Sequence, residues 1–149
     1  MTQKCEYCNT GGYGDLIHET PYWMVFLAPS QRYLGTCVIA LKRQSQSLSE
    51  LEDPEWKDFA EVVRKLEYSV SEAFKPDLYN WSCFKNATFR DKDPNPEIHW
   101  HFIPRYRVEV EFEGLKFDDP DFGYFAKPIA HIIPREVMDK IKSEIKRNL

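Results

Sequence analysis

One long helical pattern in the middle of the sequence limits the folds that this chain can adopt. From Asp53 onward, apolar residues recur at helical spacing as far as Phe74, Pro54 suits the first turn, and Pro76 ends the pattern. Strand-like apolar or aromatic runs flank this helix at residues 22–27, 36–41, 79–84 and 98–103. The sequence therefore predicts a core helix inserted between strands.

The last of these runs also carries the residues with the most distinctive chemistry. The segment Glu97–Arg105 has the sequence EIHWHFIPR, and successive side chains on a strand point to opposite faces. His99 and His101 therefore share one face, with Glu97 beside them. At about 3.3 Å of rise per residue, the two imidazoles lie roughly 6.5–7 Å apart along the backbone. They can then reach two oxygens of one phosphate or two positions around a metal ion; alternatively, they only occupy the polar face of a half-buried strand.

Composition and charge exclude several classes of function. A chain of 149 residues with 15% aromatic and 30% charged residues predicts one folded domain, spanning 1–149. The net charge of -4 argues against a nucleic-acid partner, because nucleic-acid-binding surfaces need excess Lys and Arg to neutralise many phosphates, whereas a small phosphate-bearing ligand can still be held locally. The first residues lack the apolar core of a signal peptide, and no run approaches the roughly 18 apolar residues of a membrane span. We therefore expect a cytoplasmic protein with no membrane partner.

Two cysteines near the start of the sequence form half of a zinc-binding pattern. Cys5 and Cys8 have the spacing of a zinc knuckle, but tetrahedral zinc needs a second pair of ligands, and no second cysteine pair exists. His18 is the nearest histidine. The alternative is two accessible thiols with no function. Cys37 and Cys83 lie in strand-like runs and are expected to be reduced core residues.

The loop before the histidine strand contains candidate ligand contacts. Residues 85–96 are rich in Asn, Asp, Lys and Pro, and the loop ends beside the two histidines. Asn86, Asp93 and Asn95 are candidates to contact a ligand; alternatively, they only satisfy the backbone of turns.

Three features follow the histidine strand. We expect a hairpin turning at Glu113-Gly114, a solvated acidic turn at 118–121 and a final helix opened by Pro134.

The run His99-Trp100-His101-Phe102-Ile103-Pro104-Arg105 resembles the histidine triad (HIT) superfamily of nucleotide hydrolases and transferases. It is similar to the second and third histidines of that family's motif, followed by the Pro-Arg found in many members. The resemblance spans about residues 4–106. It implies an α+β fold: an antiparallel sheet of about five strands with a long central helix and a C-terminal helix. It also implies a homodimer joined across sheet edges, and residues 107–149 then form a C-terminal extension of the HIT-like domain.

The resemblance also assigns site residues. It gives His99 the nucleophilic position, His101 the position that contacts phosphate, and Asn86 a place at the phosphate. The predicted nucleotide-binding residues are Phe26, Leu27, Asn86, Asp93 and Asn95.

Three positions depart from the family pattern. Glu97 replaces the first histidine, Ala28 replaces a ribose-binding residue, and Gln44 replaces a histidine that ligates zinc in some relatives. The two exchanges that remove a histidine, at Glu97 and Gln44, weaken the zinc hypothesis for Cys5 and Cys8. We therefore expect no required cofactor.

The implied activity is hydrolysis or nucleotidyl transfer at the α-phosphate of a dinucleoside polyphosphate or a nucleoside phosphoramidate. A neutral His99 would attack phosphorus and form a nucleotidyl-histidine, a backbone carbonyl would fix its tautomer, and a protonated His101 would stabilise negative charge. The alternative is a nucleotide-binding regulatory protein with an altered triad and little or no turnover. Glu97 is the feature that favours this alternative.

Overall fold

The computed structural model describes residues 12–149 and confirms an α+β fold with a five-stranded antiparallel sheet. The sheet strands are β1 (Asp15–Glu19), β2 (Trp23–Leu27), β3 (Cys37–Leu41), β4 (Leu78–Ser82) and β5 (His99–Arg105). Their spatial order is β1-β2-β3-β5-β4. The helices are α1 (Asp53–Phe74) and α2 (Arg135–Lys146), and a separate two-stranded ribbon consists of β6 (Val110–Phe112) and β7 (Leu115–Phe117). Short 3₁₀ turns occur at Leu48–Glu50 and Ala87–Arg90.

Strand β1 is the one sheet strand that the sequence pattern does not predict. It is only five residues long, and its pairing with β2 shifts register between Leu16 and His18. An irregularity of this kind interrupts the alternation of buried and exposed side chains that identifies a strand in a sequence.

The two helices pack on one face of the sheet. Trp100 and Phe102 on β5 point to this face, where Trp100 stacks on Phe59 of α1 with ring centroids 4.9 Å apart. Leu66 of α1 and Ile141 of α2 are fully buried in the same cluster. The alternation along β5 then places the histidines on the other face.

Helix α1 begins with a capping arrangement of two acidic residues. Glu52 is the N-cap residue, and its backbone N–H donates to the carboxylate of Glu55 at 2.8 Å. Pro54 occupies the first turn as predicted. Lys75 adopts a left-handed conformation with φ of 51° after the helix, immediately before Pro76.

The hairpin predicted after the histidine strand is confirmed. Glu113 and Gly114 connect β6 to β7 with φ values of 49° and 77°. Two consecutive residues with positive φ are typical of the two-residue turn that matches the twist of paired strands.

The expectation of a solvated acidic turn at 118–121 is wrong for Asp119. This residue is buried and forms a two-pronged ion pair with Arg105, at 2.5 and 2.9 Å. Each of the five N–H groups of the Arg105 guanidinium has an acceptor, since Asn80, Asp121 and Tyr124 supply the remaining three. A full set of partners explains how a charged side chain remains 2% exposed.

Arg105 and its partners hold a segment that we call the C-terminal strap, residues 118–131. The strap crosses the sheet face that carries the histidines: Ala126 packs on a small cluster of buried residues that includes Val38 and Ile103. Its far end is fixed where the backbone N–H of His131 donates to Ser30 at 2.9 Å. The strap therefore covers the part of this face that the histidines do not occupy.

Candidate functional site

The two histidines lie side by side on the face of the sheet opposite the helices. His99 pairs with Ala40 of β3, and His101 lies between Val38 of β3 and Ser82 of β4. The imidazole centroids are 5.1 Å apart, with the rings nearly perpendicular at 72°. Both side chains are 2% exposed. The prediction that the two rings share one face is therefore confirmed, and the pair is more deeply buried than the strand pattern indicates.

A backbone carbonyl determines the tautomer of His99. Nδ1 lies 2.8 Å from the carbonyl oxygen of Glu97. Because a carbonyl oxygen only accepts, Nδ1 must carry the proton and donate it, which leaves the lone pair on Nε2. His99 is thus arranged as a nucleophile or a base through Nε2, as the sequence-based mechanism requires.

His101 differs from the expectation that it carries a proton. Burial, with a smaller contribution from the adjacent His99, lowers the pKa of His101 to about 3. The ring is therefore neutral near pH 7 and can offer one N–H donor but no positive charge. A neutral hydrogen-bond donor replaces the imidazolium that the sequence suggested.

The buried state of His101 predicts that the protein loses stability in acid. Between its ordinary value of 6.5 and its folded pKa of about 3, the unfolded chain binds a proton that the folded chain does not. We therefore expect the free energy of unfolding to fall as pH decreases through this window. In His101→Gln this contribution disappears. The measurement is urea unfolding at several pH values between 4 and 7; an equal pH dependence in both proteins would contradict the buried, neutral His101.

Tyr13 is a site residue that the sequence did not single out. Its ring packs against His99, with centroids 5.4 Å apart, and against Phe26, at 5.6 Å. Its hydroxyl donates to the Glu97 carboxylate at 3.4 Å. Burial and the nearby Glu97 raise the pKa of Tyr13 well above its ordinary value, so the hydroxyl stays protonated. An aromatic residue between glycines, Gly12 and Gly14, is the signal that was available in the sequence.

The other predicted nucleotide-binding residues are not all gathered around the histidines. Phe26 shares the histidine face, whereas its neighbour Leu27 is fully buried in the core beneath the helices. Alternation on β2 therefore points the Leu27 side chain away from the histidines, and the assignment of Leu27 to nucleotide binding stays a prediction. Asn86 and Asp93 are exposed in the loop before β5. Asn95 accepts hydrogen bonds from the side-chain amides of two glutamines, Gln44 and Gln46.

Among the described residues, two open spaces lie near the histidine pair, and neither is lined by His99 or His101 themselves. A cavity of about 290 Å³ lies beside Glu97 and Tyr13 and extends to Met24 and Gln44. A groove of about 660 Å³ follows the edge strand β4, between Ser82 and Phe84 on one side and the strap on the other. The Phe84 ring is 6.2 Å from that of His101, so this groove approaches the pair from the side opposite Tyr13.

The predicted zinc ligands Cys5 and Cys8 lie outside the described residues. Within residues 12–149, no group of three or more His, Cys, Asp or Glu side chains is arranged to hold a metal ion. His18, the histidine nearest to them in sequence, lies near Asp58 and Lys65 of α1. Gln44 donates to Asn95 at 3.3 Å. The zinc hypothesis therefore stays a prediction. In the same part of the chain, no helix is long and apolar enough to cross a membrane.

Solved structures share this fold. They include a histidine triad protein from Sinorhizobium meliloti, with 18% identity, a TM-score of 0.67 and coverage of 91% of this chain and 90% of that chain. A hypothetical histidine triad nucleotide-binding protein from Sulfolobus tokodaii has 19% identity and a TM-score of 0.63, over 97% and 91% of the two chains. The diadenosine triphosphate hydrolase of Plasmodium falciparum has 14% identity and a TM-score of 0.60, over 89% and 74%. At these identities the similarity shows the fold alone.

The sequence itself gives the family. No curated protein matches it. The profile of the HIT domain matches residues 11–108, which is more than half of the chain. This match spans β1 to β5 and includes both histidines of the site. The chain therefore belongs to the HIT domain family.

Proposed function

We propose that this protein is a nucleotide hydrolase or nucleotidyl transferase that cleaves at the α-phosphate of a dinucleoside polyphosphate or a nucleoside phosphoramidate. The observation that carries the proposal is the hydrogen bond from Nδ1 of His99 to the carbonyl of Glu97, which leaves the lone pair on Nε2. Membership in a family that includes nucleotide hydrolases and transferases supports the substrate class. The diadenosine triphosphate hydrolase of Plasmodium falciparum, which has the same fold, is consistent with it.

The reaction proceeds in two steps in this proposal. Nε2 of His99 attacks the α-phosphorus, a P–N bond forms, and the bond to the leaving group breaks with its electron pair; a phosphate leaves as the anion, and an amine takes a proton from water as it leaves. Water or an acceptor then displaces His99, and the nucleoside monophosphate or the transfer product leaves. The neutral His101 donates one hydrogen bond to a non-bridging oxygen, and Asn86 supplies another from the loop. The reaction requires no metal ion, since the nucleophile is activated by its tautomer.

The nucleoside occupies the Phe26 side of the histidine pair in this proposal. Phe26 is half-buried on the histidine face and presents an aromatic ring to a base. Asp93, which is exposed in the preceding loop, remains a candidate for the ribose or the leaving group. Asn95 acts indirectly, because its side chain joins this loop to Gln44 and Gln46.

We further propose that the protein is a cytoplasmic homodimer. Strand β4 is at the edge of the sheet and has the groove along it, so a second copy can pair there. Cys37 and Cys83 are free thiols, which is the usual state of cysteines in the cytoplasm. Besides the second copy of the chain, the partner in this proposal is the nucleotide substrate.

A second candidate function is nucleotide binding without turnover. Two observations favour it: a carboxylate, Glu97, stands at the first triad position, and both histidines are 2% exposed. This candidate keeps the nucleotide as ligand but assigns no nucleophilic role to His99.

A substrate panel separates the two candidates. Adenosine and guanosine dinucleoside polyphosphates and phosphoramidates are incubated with the wild-type protein and with His99→Gln, and release of nucleoside monophosphate is followed by chromatography. The hydrolase proposal predicts release by the wild type on at least one substrate and loss in the variant. Nucleotide affinity without release on any member of the panel would overturn it in favour of the binding protein.

A further inference from the structure

Tyr13 lies directly against the proposed nucleophile. Its ring is tilted by 44° to that of His99, with the centroids 5.4 Å apart, and the same ring contacts Phe26. His99 itself is only 2% exposed. A phosphorus atom that approaches His99 from the Phe26 side therefore meets the Tyr13 ring first.

Tyr13 is held by Glu97, the residue that stands in place of the first triad histidine. The Tyr13 hydroxyl donates to Oε2 of Glu97 at 3.4 Å. The backbone carbonyl of Glu97 is separately occupied by Nδ1 of His99. Glu97 therefore contacts both groups through different atoms, and a change to its side chain leaves the carbonyl that fixes the tautomer in place.

The backbone around Tyr13 can serve as a hinge. Gly12 and Gly14 on either side have φ values of +86° and +109°, which side chains other than glycine rarely adopt. A Cβ on Gly14 would lie 2.0 Å from the carbonyl oxygen of Leu27, so Gly14 is held against β2. A Cβ on Gly12 would meet nothing within 4 Å. Gly14 is thus packed against β2, whereas Gly12 has open space on the side where a Cβ would lie.

We propose that Tyr13 is a gate over His99, with Gly12 as the hinge and the Glu97 carboxylate as the latch. The nucleotide reaches Nε2 when Tyr13 swings away, and Glu97 sets how often this happens. The identity of the entering ligand rests on the proposed nucleotide function, whereas the opening itself does not. Tyr13 and Glu97 are positioning residues here, because they act through access to His99.

The gate has a quantitative consequence for affinity. If only a fraction of the molecules is open, the apparent dissociation constant equals the intrinsic constant divided by that fraction. Weakening the latch therefore increases affinity. In a turnover assay the KM falls by the same factor.

Chemical modification of His99 measures the opening without any substrate. Diethyl pyrocarbonate carbethoxylates neutral imidazoles, and peptide mass spectrometry gives the rate constant at His99 for each protein. Tyr13→Phe keeps the ring but removes the latch, and we expect its rate constant to rise about 5-fold, as for loss of one hydrogen bond. Glu97→Gln is expected to change it in the same direction by less, and Tyr13→Ala by at least as much as Tyr13→Phe.

The double variant and a control complete the test. Tyr13→Phe/Glu97→Gln should react no faster than Tyr13→Phe alone, because both changes break one contact. Tyr68→Phe, in an exposed tyrosine of α1, should leave the rate constant unchanged. Rate constants within 2-fold of wild type in both Tyr13→Phe and Glu97→Gln would overturn the latch. An unchanged rate constant in Tyr13→Ala would overturn the gate.

Protection by adenosine 5′-monophosphate separates this inference from the proposed function. We expect the nucleotide to slow modification of His99, with half-protection at a lower concentration in Tyr13→Phe than in the wild type. Equal half-protection concentrations would show that Tyr13 is not on the nucleotide's route and would overturn the inference. Absence of protection in every protein, with the predicted order of rate constants retained, would contradict nucleotide binding but leave the gate in place.

Discussion

Replacement of His99 by glutamine is expected to reduce kcat by about 10⁴-fold or more, since removal of a covalent nucleophile abolishes the two-step route. Glutamine fills much of the space of the buried imidazole, so the fold should persist, which circular dichroism and thermal unfolding can check. Turnover is measured on the best substrate of the panel. His131→Gln is the matched control, because His131 is an exposed histidine on the strap, and it should retain wild-type activity.

The neighbouring histidine should have a smaller effect. His101 is neutral and contributes one hydrogen-bond donor, and loss of one such donor costs about 10²- to 10³-fold in kcat. A folded His99→Gln protein that retains more than a tenth of wild-type turnover would contradict the nucleophilic role. So would a larger loss in His101→Gln than in His99→Gln.

Replacement of Arg105 by methionine is expected to lower the free energy of unfolding by about 3–5 kcal/mol, because it leaves the carboxylate of Asp119 buried without its partner. The strap also loses the donors that hold the backbone carbonyls of Asp121 and Tyr124. Urea unfolding followed by fluorescence gives the change. Arg64→Met is the matched control: Arg64 and its partner Glu61 are both exposed, and its loss should cost less than about 1 kcal/mol.

A second variant distinguishes the buried pair from a general effect of the substitution. In Arg105→Met/Asp119→Leu no orphaned charge remains, so part of the lost stability should return. If Arg105→Met costs no more than Arg64→Met, the pair does not hold the strap. If the double variant loses more free energy of unfolding than the two single variants lose together, the orphaned charge is not the cause.

The sequence predicts those helices and strands whose apolar residues keep a single periodicity from end to end. Helix α1 begins at Asp53 and ends at Phe74, within the predicted stripe, because its apolar spacing and both prolines agree. Strand β5 was predicted from alternation alone, and the same alternation placed His99 and His101 on one face. The hairpin at Glu113-Gly114 followed from turn chemistry.

Features that depend on distant contacts could not be predicted in this way. Asp119 belongs to an acidic, turn-like sequence, and only the fold brings it to Arg105, fourteen positions earlier. Tyr13 contacts Glu97, which is 84 positions away in sequence. The neutral state of His101 arises from burial beneath neighbouring elements, which a strand pattern does not report. The sequence thus indicated the polar residues of the site by their residue type. Their contact partners and charge states could be seen only in the structure.

The most direct test of the central claim is to trap the covalent intermediate. The wild-type protein is mixed with a substrate of the panel, quenched within the first turnover, and examined by intact-mass and peptide mass spectrometry under conditions that preserve P–N bonds. We predict an adduct of one nucleoside monophosphate on the peptide that contains His99, absent in His99→Gln and present in His131→Gln. An adduct on another residue, or turnover by the wild type with no adduct at any quench time, would contradict the account.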